Sequence, residues 1–284
     1  MTLIEFRSYF RAQLKNVYAL EECDDFLKRL MQAYFKWEPI KIGLDPGYKL
    51  TTLEEEKLEL ALIELKKERP LQYISGTTYF MDLELEVNAA VLIPRPETEE
   101  LVHWIVSDED KLNPLAILDI GTGSGCIAIT LKKTAQQWNV SALDVSEQAL
   151  DVAQGNASKN EVSVQFHLED ILDKKPWLKP LDVIVSNPPY VVPSEKQQML
   201  SNVLDYEPDL ALFVPEEDPL LFYKRIIEFA QQNLKPSGAL YFEINPIFVD
   251  ELVTFFKKFT FDSVEVRNDY LNRPRMIKAT KSNI

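Results

Sequence analysis

The stretch Ser186-Asn187-Pro188-Pro189-Tyr190 follows an apolar run that reads as a strand, and its residue types could do chemistry on a nitrogen. Two prolines stop strand pairing and stiffen the chain, so Asn187 and the Pro188 carbonyl are held in one geometry. An amide or exocyclic NH2 is a poor nucleophile, because its lone pair is delocalised into the attached π-system. If the Asn187 side-chain oxygen and the Pro188 carbonyl each accept one N–H, that nitrogen is pinned and its lone pair can be aimed at an electrophile. Tyr190 is then expected to stack on the planar group. No strong base is needed before attack, since the nitrogen becomes acidic once it has been alkylated. The bland alternative is a rigid proline turn with an asparagine chosen for local hydrogen bonding. A position at the end of a strand, beside a second chemically suggestive stretch, speaks against it.

That second stretch is Gly121-Thr122-Gly123-Ser124-Gly125, which joins the apolar strand Ala116 to Ile120 directly to a helix. Its glycines allow a tight turn and bring backbone close to a ligand. The spacing is not the Gly-x-Gly-x-x-Gly of dinucleotide binders, and no Gly-Lys-Ser/Thr follows for a nucleoside triphosphate. Asp119, beside the loop, suits a cationic ligand and disfavours a pyrophosphate. S-adenosylmethionine has a sulfonium, an amino group and no phosphate. Asp144, with Val145 beside it, ends the next strand, where a carboxylate can accept hydrogen bonds from both ribose hydroxyls. Asp170 follows the third strand and could accept from the adenine amino group, with Ile171 against the ring. Taken singly, Asp144 could merely cap the helix that begins near Ser146, and Asp170 could be a turn residue. Three acids closing three successive strands point to a cofactor site.

The elements that must carry these residues follow from periodicity. From about residue 97, an amphipathic stretch beginning at Glu97 precedes Ala116 to Ile120. The helix Cys126 to Thr134, the strand Val140 to Leu143 and the helix Glu147 to Ser158 come next. Val164 to Leu168, Val183 to Ser186, Leu220 to Asn233 and Ala239 to Ile244 continue the alternation. That order predicts an α/β fold with a mostly parallel, Rossmann-like sheet covered on both faces. Further strands are expected near Ser263 to Val266 and Met276 to Thr280.

Ahead of this region, Leu3, Phe6, Phe10 and Leu14, then Leu27, Leu30, Met31, Tyr34 and Phe35, recur at helical intervals. Thr2 with Glu5, and Thr52 with Glu55, read as capping boxes. Gly43, Pro46 and Gly47 punctuate the middle, and Pro70 ends the run Leu53 to Leu65. Residues 1–76 are therefore expected to form a small helical domain. Residues 77–96 should form a connecting β-hairpin, in which an alternating strand, Phe80 to Val87, pairs with Val91 to Ile93. Residues 97–284 should form the sheet domain.

The bulk numbers bound the function. With 31 basic and 45 acidic residues the formal charge is −14, which repels DNA or long RNA and fits a basic protein partner better. No apolar run is long enough to cross a bilayer. Glu5 and Arg7 interrupt the N-terminal segment where a secretion signal would be apolar, so a cytosolic protein is expected. Cys23 and Cys126 lie outside any Cys/His cluster, and His103 and His167 are too scattered for a metal centre or a Ser-His relay, so no metal is expected.

With these motifs in hand, the chain resembles the peptide chain release factor glutamine N5-methyltransferases. The likeness spans nearly the whole length. The selective segments are Pro70-Leu71-Gln72-Tyr73-Ile74-Ser75-Gly76, Val91-Leu92-Ile93-Pro94-Arg95-Pro96-Glu97-Thr98-Glu99 and Tyr206-Glu207-Pro208. The resemblance implies a class I S-adenosylmethionine-dependent methyltransferase sheet, with Gly121 to Gly125, Asp144 and Ile171 at the cofactor. It implies that Asn187, Pro188, Pro189 and Tyr190, together with Arg95 and Glu97, meet the substrate. That substrate is the glutamine of the Gly-Gly-Gln motif in class 1 release factors, gripped in part by the helical domain of a monomeric enzyme. Asn245 and Asn272 stand where the family usually has glycine, and asparagine tolerates a left-handed backbone better than most residues. Adenine methylation in nucleic acid, glutamine methylation on a ribosomal protein, and a non-catalytic cofactor-fold module are the competing readings. The acidic charge weighs against the first and the intact Asn187 against the last.

Overall fold

The computed structural model describes residues 1–45 and 47–283. Pro46, one of the three expected turn residues, lies outside them. The chain divides into two compact units, Met1–Thr77 with Leu200–Tyr206, and Thr78–Met199 with Glu207–Ile284.

The first unit is helical: α1 (Leu3–Leu14), α2 (Leu20–Phe35), α3 (Pro39–Leu44), α4 (Thr52–Leu65) and the short α5 (Leu71–Ser75). Leu3, Phe6, Phe10 and Leu14 of α1 pack with Leu27, Leu30 and Met31 of α2 and with Leu58, Ala61, Leu62 and Leu65 of α4. Pro70 opens a further helical turn here as well as closing a run, because proline suits a helix start. The segment Leu200–Tyr206, which includes the short α9 (Ser201–Leu204), joins this unit through the Tyr206 hydroxyl, which donates to the Lys67 carbonyl at 2.7 Å. The Thr2–Glu5 capping box is present. The second box lies one residue earlier than expected: Thr51 is the cap, its Oγ1 accepts the Glu54 N–H, and Glu54 reaches back to the Thr51 N–H. Two adjacent threonines followed by three glutamates leave the cap ambiguous in sequence.

The boundary between the units falls at the start of a two-stranded hairpin, β1 (Thr77–Phe80) and β2 (Leu83–Glu86), and the rest of the hairpin belongs to the second unit. The expected partner, Val91 to Ile93, is not a strand. The chain turns earlier, at Met81-Asp82, where Met81 takes a positive φ of 50°. Then come α6 (Pro96–Asp108), β3 (Ala116–Ile120), α7 (Cys126–Thr134), β4 (Asn139–Asp144), α8 (Glu147–Lys159), β5 (Gln165–Leu168), β6 (Leu181–Ser186), the short α10 (Asp209–Leu212), α11 (Leu221–Asn233), β7 (Leu234–Glu243), α12 (Val249–Phe256), β8 (Phe261–Asn268) and β9 (Pro274–Lys281).

The seven-stranded sheet has the order β5-β4-β3-β6-β7-β9-β8, parallel through β7, with β9 and β8 antiparallel. Alternate residues face opposite sides. Ile117 packs with Trp104, Ile127 and Leu131 on one face, while Leu118 and Ile120 pack with Ile226, Ile227 and Ala230 on the other. Strand order reverses between β3 and β6, and it is at such a switch point that open α/β sheets hold ligands.

Register sets what meets there. Ile120 pairs with Leu143 and with Ser186, and Ser186 pairs with Phe242. The next residues, Gly121, Asp144, Asn187 and Glu243, therefore leave four neighbouring strands at one level. Among the described residues no helix is long and apolar enough to cross a membrane.

Because Thr51 and not Thr52 closes α4, Thr51→Ala is expected to cost about 1 kcal/mol and Thr52→Ala less than about 0.5 kcal/mol in chemical denaturation. Equal losses would contradict the assigned cap.

Candidate active site

At the carboxyl edge of the sheet lies a cavity of about 320 Å³. Its walls come from the 89–95 segment, the 120–127 loop and helix start, the end of β4 with Val145 and Ser146, the turn 169–171, and Ser186 to Pro189.

The glycine loop is pinned to β4, since the Gly121 and Thr122 N–H groups both donate to the Leu143 carbonyl at 2.9 and 3.1 Å. Gly121 and Gly123 have positive φ, and a Cβ on either would meet nothing, so backbone is left bare beside the cavity. Gly125 serves packing: at φ +82° its missing Cβ would fall 2.8 Å from Ile129 Cδ1 and 3.1 Å from Ala153 Cβ, so α7 and α8 could not close together over it. Asn156 of α8, fully buried, donates to the Ser124 carbonyl and clasps both backbone groups of Glu86, the last hairpin residue. It thereby ties the cofactor-side loop to the start of the 89–95 wall.

Most of the expected cofactor residues line the cavity: Gly121, Thr122, Gly123, Ser124, Asp144, Val145, Asp170, Ile171 and Asn187. Asp144 accepts the Gly123 N–H and the Ser146 N–H, both at 2.9 Å, so it organises the loop while facing the cavity, and burial raises its pKa. Ser146, not Asp144, supplies the side-chain cap of α8. Asp170 caps a short 3-10 turn by accepting the Leu172 N–H, and buried Arg225 of α11 donates to the Ile171 carbonyl at 2.7 Å, steadying that turn.

Besides Gly125, three expected contacts are placed elsewhere. Asp119 is fully buried beneath the loop, with one carboxyl oxygen taken by the Thr122 hydroxyl at 2.6 Å and the other without a hydrogen-bond partner among the described residues. Burial, aided by nearby Asp144, pushes its pKa up to about 7. The strand's alternation explains the position: Asp119 shares the inward face with Ile117. Tyr190 does not line the cavity. Its ring packs into the core beneath α11, and its hydroxyl donates to Glu243 Oε1 at 3.1 Å, which turns it away from the stacking role. Glu97 faces Arg273 at 3.8 Å outside the cavity. Arg95 does line it, held by an ion pair to buried Glu207, whose second oxygen accepts the Ile93 N–H at 3.1 Å.

Asn187 donates through Nδ2 to Thr98 Oγ1 at 3.1 Å, and among the described residues its Oδ1 accepts no hydrogen bond. Thr98, Glu243, Glu207, Asn156 and Arg225 have roles that residue type and spacing alone do not assign. Thr98 and Glu207 lie within quoted motifs, but only register and packing show what they touch. Of the two asparagines at usual glycine positions, Asn272 has a left-handed φ of 60°. Asn245 has an ordinary φ of −74° and instead caps a turn by accepting the Ile247 N–H.

Solved structures share the architecture. A methyltransferase from Pyrococcus furiosus superposes with a TM-score of 0.55 at 19% identity, over 77% of this chain and 99% of that one. Human methyltransferase 10 domain containing protein gives 0.52 at 19% identity, over 81% of this chain and 98% of that one. The Methyltransferase small domain family matches residues 101–205. A parallel sheet reversing at a glycine loop, with an acid at the end of the next strand, is the fold of class I S-adenosylmethionine-dependent methyltransferases.

Whole-length relatives narrow this. Proteins named release factor glutamine methyltransferase from Flavobacterium psychrophilum and Bacteroides thetaiotaomicron are 43% and 39% identical, covering 98% and 96% of this chain and 99% and 98% of theirs. Another of that name from Leptospira interrogans is 32% identical over 92% of this chain and 96% of its own. The chain belongs to the release factor glutamine methyltransferase family.

The cavity fits S-adenosylmethionine. The bare Gly121 and Gly123 backbone, the Asp144 carboxylate and a buried Ser124 hydroxyl that has no nitrogen or oxygen partner among the described residues offer acceptors and donors for a cationic nucleoside.

An acid with a raised folded pKa holds a proton over a window in which the unfolded chain has lost it, so stability falls as pH rises through that window. For Asp119 the window runs from 3.8 to about 7. In cofactor-free protein, Asp119→Asn should therefore lose less melting temperature than the parent between pH 5 and pH 7.5, as followed by circular dichroism. Parallel losses would show that Asp119 is ionised throughout.

Proposed function

We propose that this chain transfers a methyl group from S-adenosylmethionine to the side-chain nitrogen, N5, of the Gly-Gly-Gln glutamine in class 1 peptide chain release factors, acting in the cytosol as a single copy. The observation that carries the reading is the shared cavity. Asn187 and Pro188 line the same space as Gly121 to Ser124 and Asp144, and among the described residues the Asn187 oxygen accepts no hydrogen bond.

S-adenosylmethionine supplies a methyl group made electrophilic by its sulfonium. The chain's task is to bind and orient a weak nucleophile. A primary carboxamide has two N–H groups, and two fixed acceptors, Asn187 Oδ1 and the Pro188 carbonyl, take one each. This holds the nitrogen with its lone pair toward the glycine-loop side. A glutamate carboxylate would present no N–H and would leave both acceptors unpaired, a penalty of about 1–3 kcal/mol each. Arg95, anchored by Glu207, stands at the cavity wall where a substrate backbone carbonyl could accept from it.

The substrate assignment is supported by the names of the whole-length relatives. The charge of −14 is consistent with it, since nucleic acid would be repelled. On the same resemblance, the helical first unit helps to grip the release factor.

Incubation with radiolabelled S-adenosylmethionine should label a purified class 1 release factor but not its Gly-Gly-Gln glutamine→alanine variant, duplex DNA or ribosomal RNA. Asn187→Ala should lose at least about 100-fold in kcat and keep cofactor affinity within about tenfold, or 1.4 kcal/mol. Label confined to nucleic acid or to ribosomal proteins would overturn the assignment.

A further inference from the structure

One buried carboxylate governs both ends of the reactive tetrapeptide. Glu243, the last residue of β7, is 1% exposed. Its Oε2 accepts the Thr98 hydroxyl at 2.6 Å, and its Oε1 accepts the Tyr190 hydroxyl at 3.1 Å. Thr98 comes from the first turn of α6 and is 2% exposed. It reaches Glu243 because α6 lies against β7, with Trp104 packed edge-on to Tyr241 at 5.6 Å between ring centres. The Glu243 backbone carbonyl is itself fixed by the Tyr223 hydroxyl at 3.1 Å.

The direction of donation matters. A threonine hydroxyl has one proton to give, and a carboxylate can only accept. With that proton committed to Glu243, Thr98 Oγ1 faces Asn187 solely as an acceptor, and only the NH2 end of the Asn187 carboxamide can meet it. The opposite end, Oδ1, is thereby turned into the cavity. Were the amide reversed, two acceptors would face each other at Thr98, and an NH2 group would confront the substrate's own N–H groups.

We propose that Thr98 and Glu243 are positioning residues that set which end of the Asn187 amide faces the substrate, and so make Asn187 an acceptor. The inference rests on the reading of Asn187 given above. The hydroxyl of Thr98 is the working part, and its methyl is spectator volume. Glu243 acts only through Thr98 and through Tyr190, which steadies the far end of the tetrapeptide. Glu243→Gln removes the obligatory acceptor: a glutamine NH2 directed at Thr98 frees the hydroxyl to donate to Asn187 Oδ1 and reverses the amide.

The test uses the full chain with selectively labelled 15N-asparagine, with the Asn187 side-chain signal assigned by its loss in Asn187→Ala. In the parent protein one Asn187 amide proton should show hydrogen-bond protection, which Thr98→Val abolishes and Thr98→Ser retains. In parallel assays with release factor, Thr98→Val and Glu243→Gln should lower kcat roughly 10- to 100-fold. KM for the release factor and affinity for S-adenosylhomocysteine should stay within about threefold, and Thr98→Ser should restore turnover. The proposal is overturned if Thr98→Val leaves the Asn187 signal and kcat unchanged, or if Thr98→Ser is as impaired as Thr98→Val. A parent protein that labels no release factor defeats the substrate reading, while the amide signal still decides the clamp.

Discussion

Parallel register is the constraint on which the site depends. Because Ile120 lies level with Leu143 and Ser186, and Ser186 with Phe242, four strands end together and deliver Gly121, Asp144, Asn187 and Glu243 to one edge. Moving one strand by a single residue would turn its terminal side chain to the opposite face. The buried apolar faces make that slip costly, since Ile117 and Leu118 sit in separate cores that cannot exchange occupants without exposing one of them.

Polar residues then refine what register delivers. Asp144 ties the glycine loop to its own strand end, and Asn156 ties that loop to the hairpin. Glu207 holds the segment that carries Arg95, and Glu243 accepts from Tyr190 directly and is linked to Asn187 through Thr98. Buried carboxylates and amides are expensive to desolvate unless every lone pair and proton is used. Here most are used on backbone or hydroxyl groups. Among the described residues, two groups left open, Asn187 Oδ1 and the Ser124 hydroxyl, belong to residues that line the cavity, while the unpartnered Asp119 oxygen lies beneath the glycine loop. Hydrogen bonds within the chain thus position the site's polar groups, and fixed geometry favours a reaction limited by orientation of a weak nucleophile.

Much of this was legible in the sequence. Apolar runs and periodicity located the parallel strands, with Ala116 to Ile120 and Cys126 to Thr134 matching their expected limits. The glycine loop and the proline-stiffened tetrapeptide announced themselves through residue types that few other structures require. What sequence could not give was direction. Asp119 and Asp144 look alike as acids at strand ends, yet alternation buries one beneath the loop and faces the other to the cavity. Tyr190 reads as a stacking ring until the partner of its hydroxyl is known. Thr98 and Glu243, 145 residues apart, meet only because α6 folds over β7. The hairpin and the second helix cap shifted for a smaller reason, since adjacent residues of similar propensity leave a turn or a cap free to move by a residue or more.

In the proposed reaction two fixed oxygens receive the two N–H groups of one carboxamide beside the cofactor loop. A crystal structure with S-adenosylhomocysteine and a glutamine-containing release factor domain tests it most directly. The expected result is the glutamine nitrogen within about 3 Å of both Asn187 Oδ1 and the Pro188 carbonyl, with Gly121, Gly123 and Asp144 around the nucleoside. A carboxamide bound away from the tetrapeptide, or met by the Asn187 NH2 group, would contradict it.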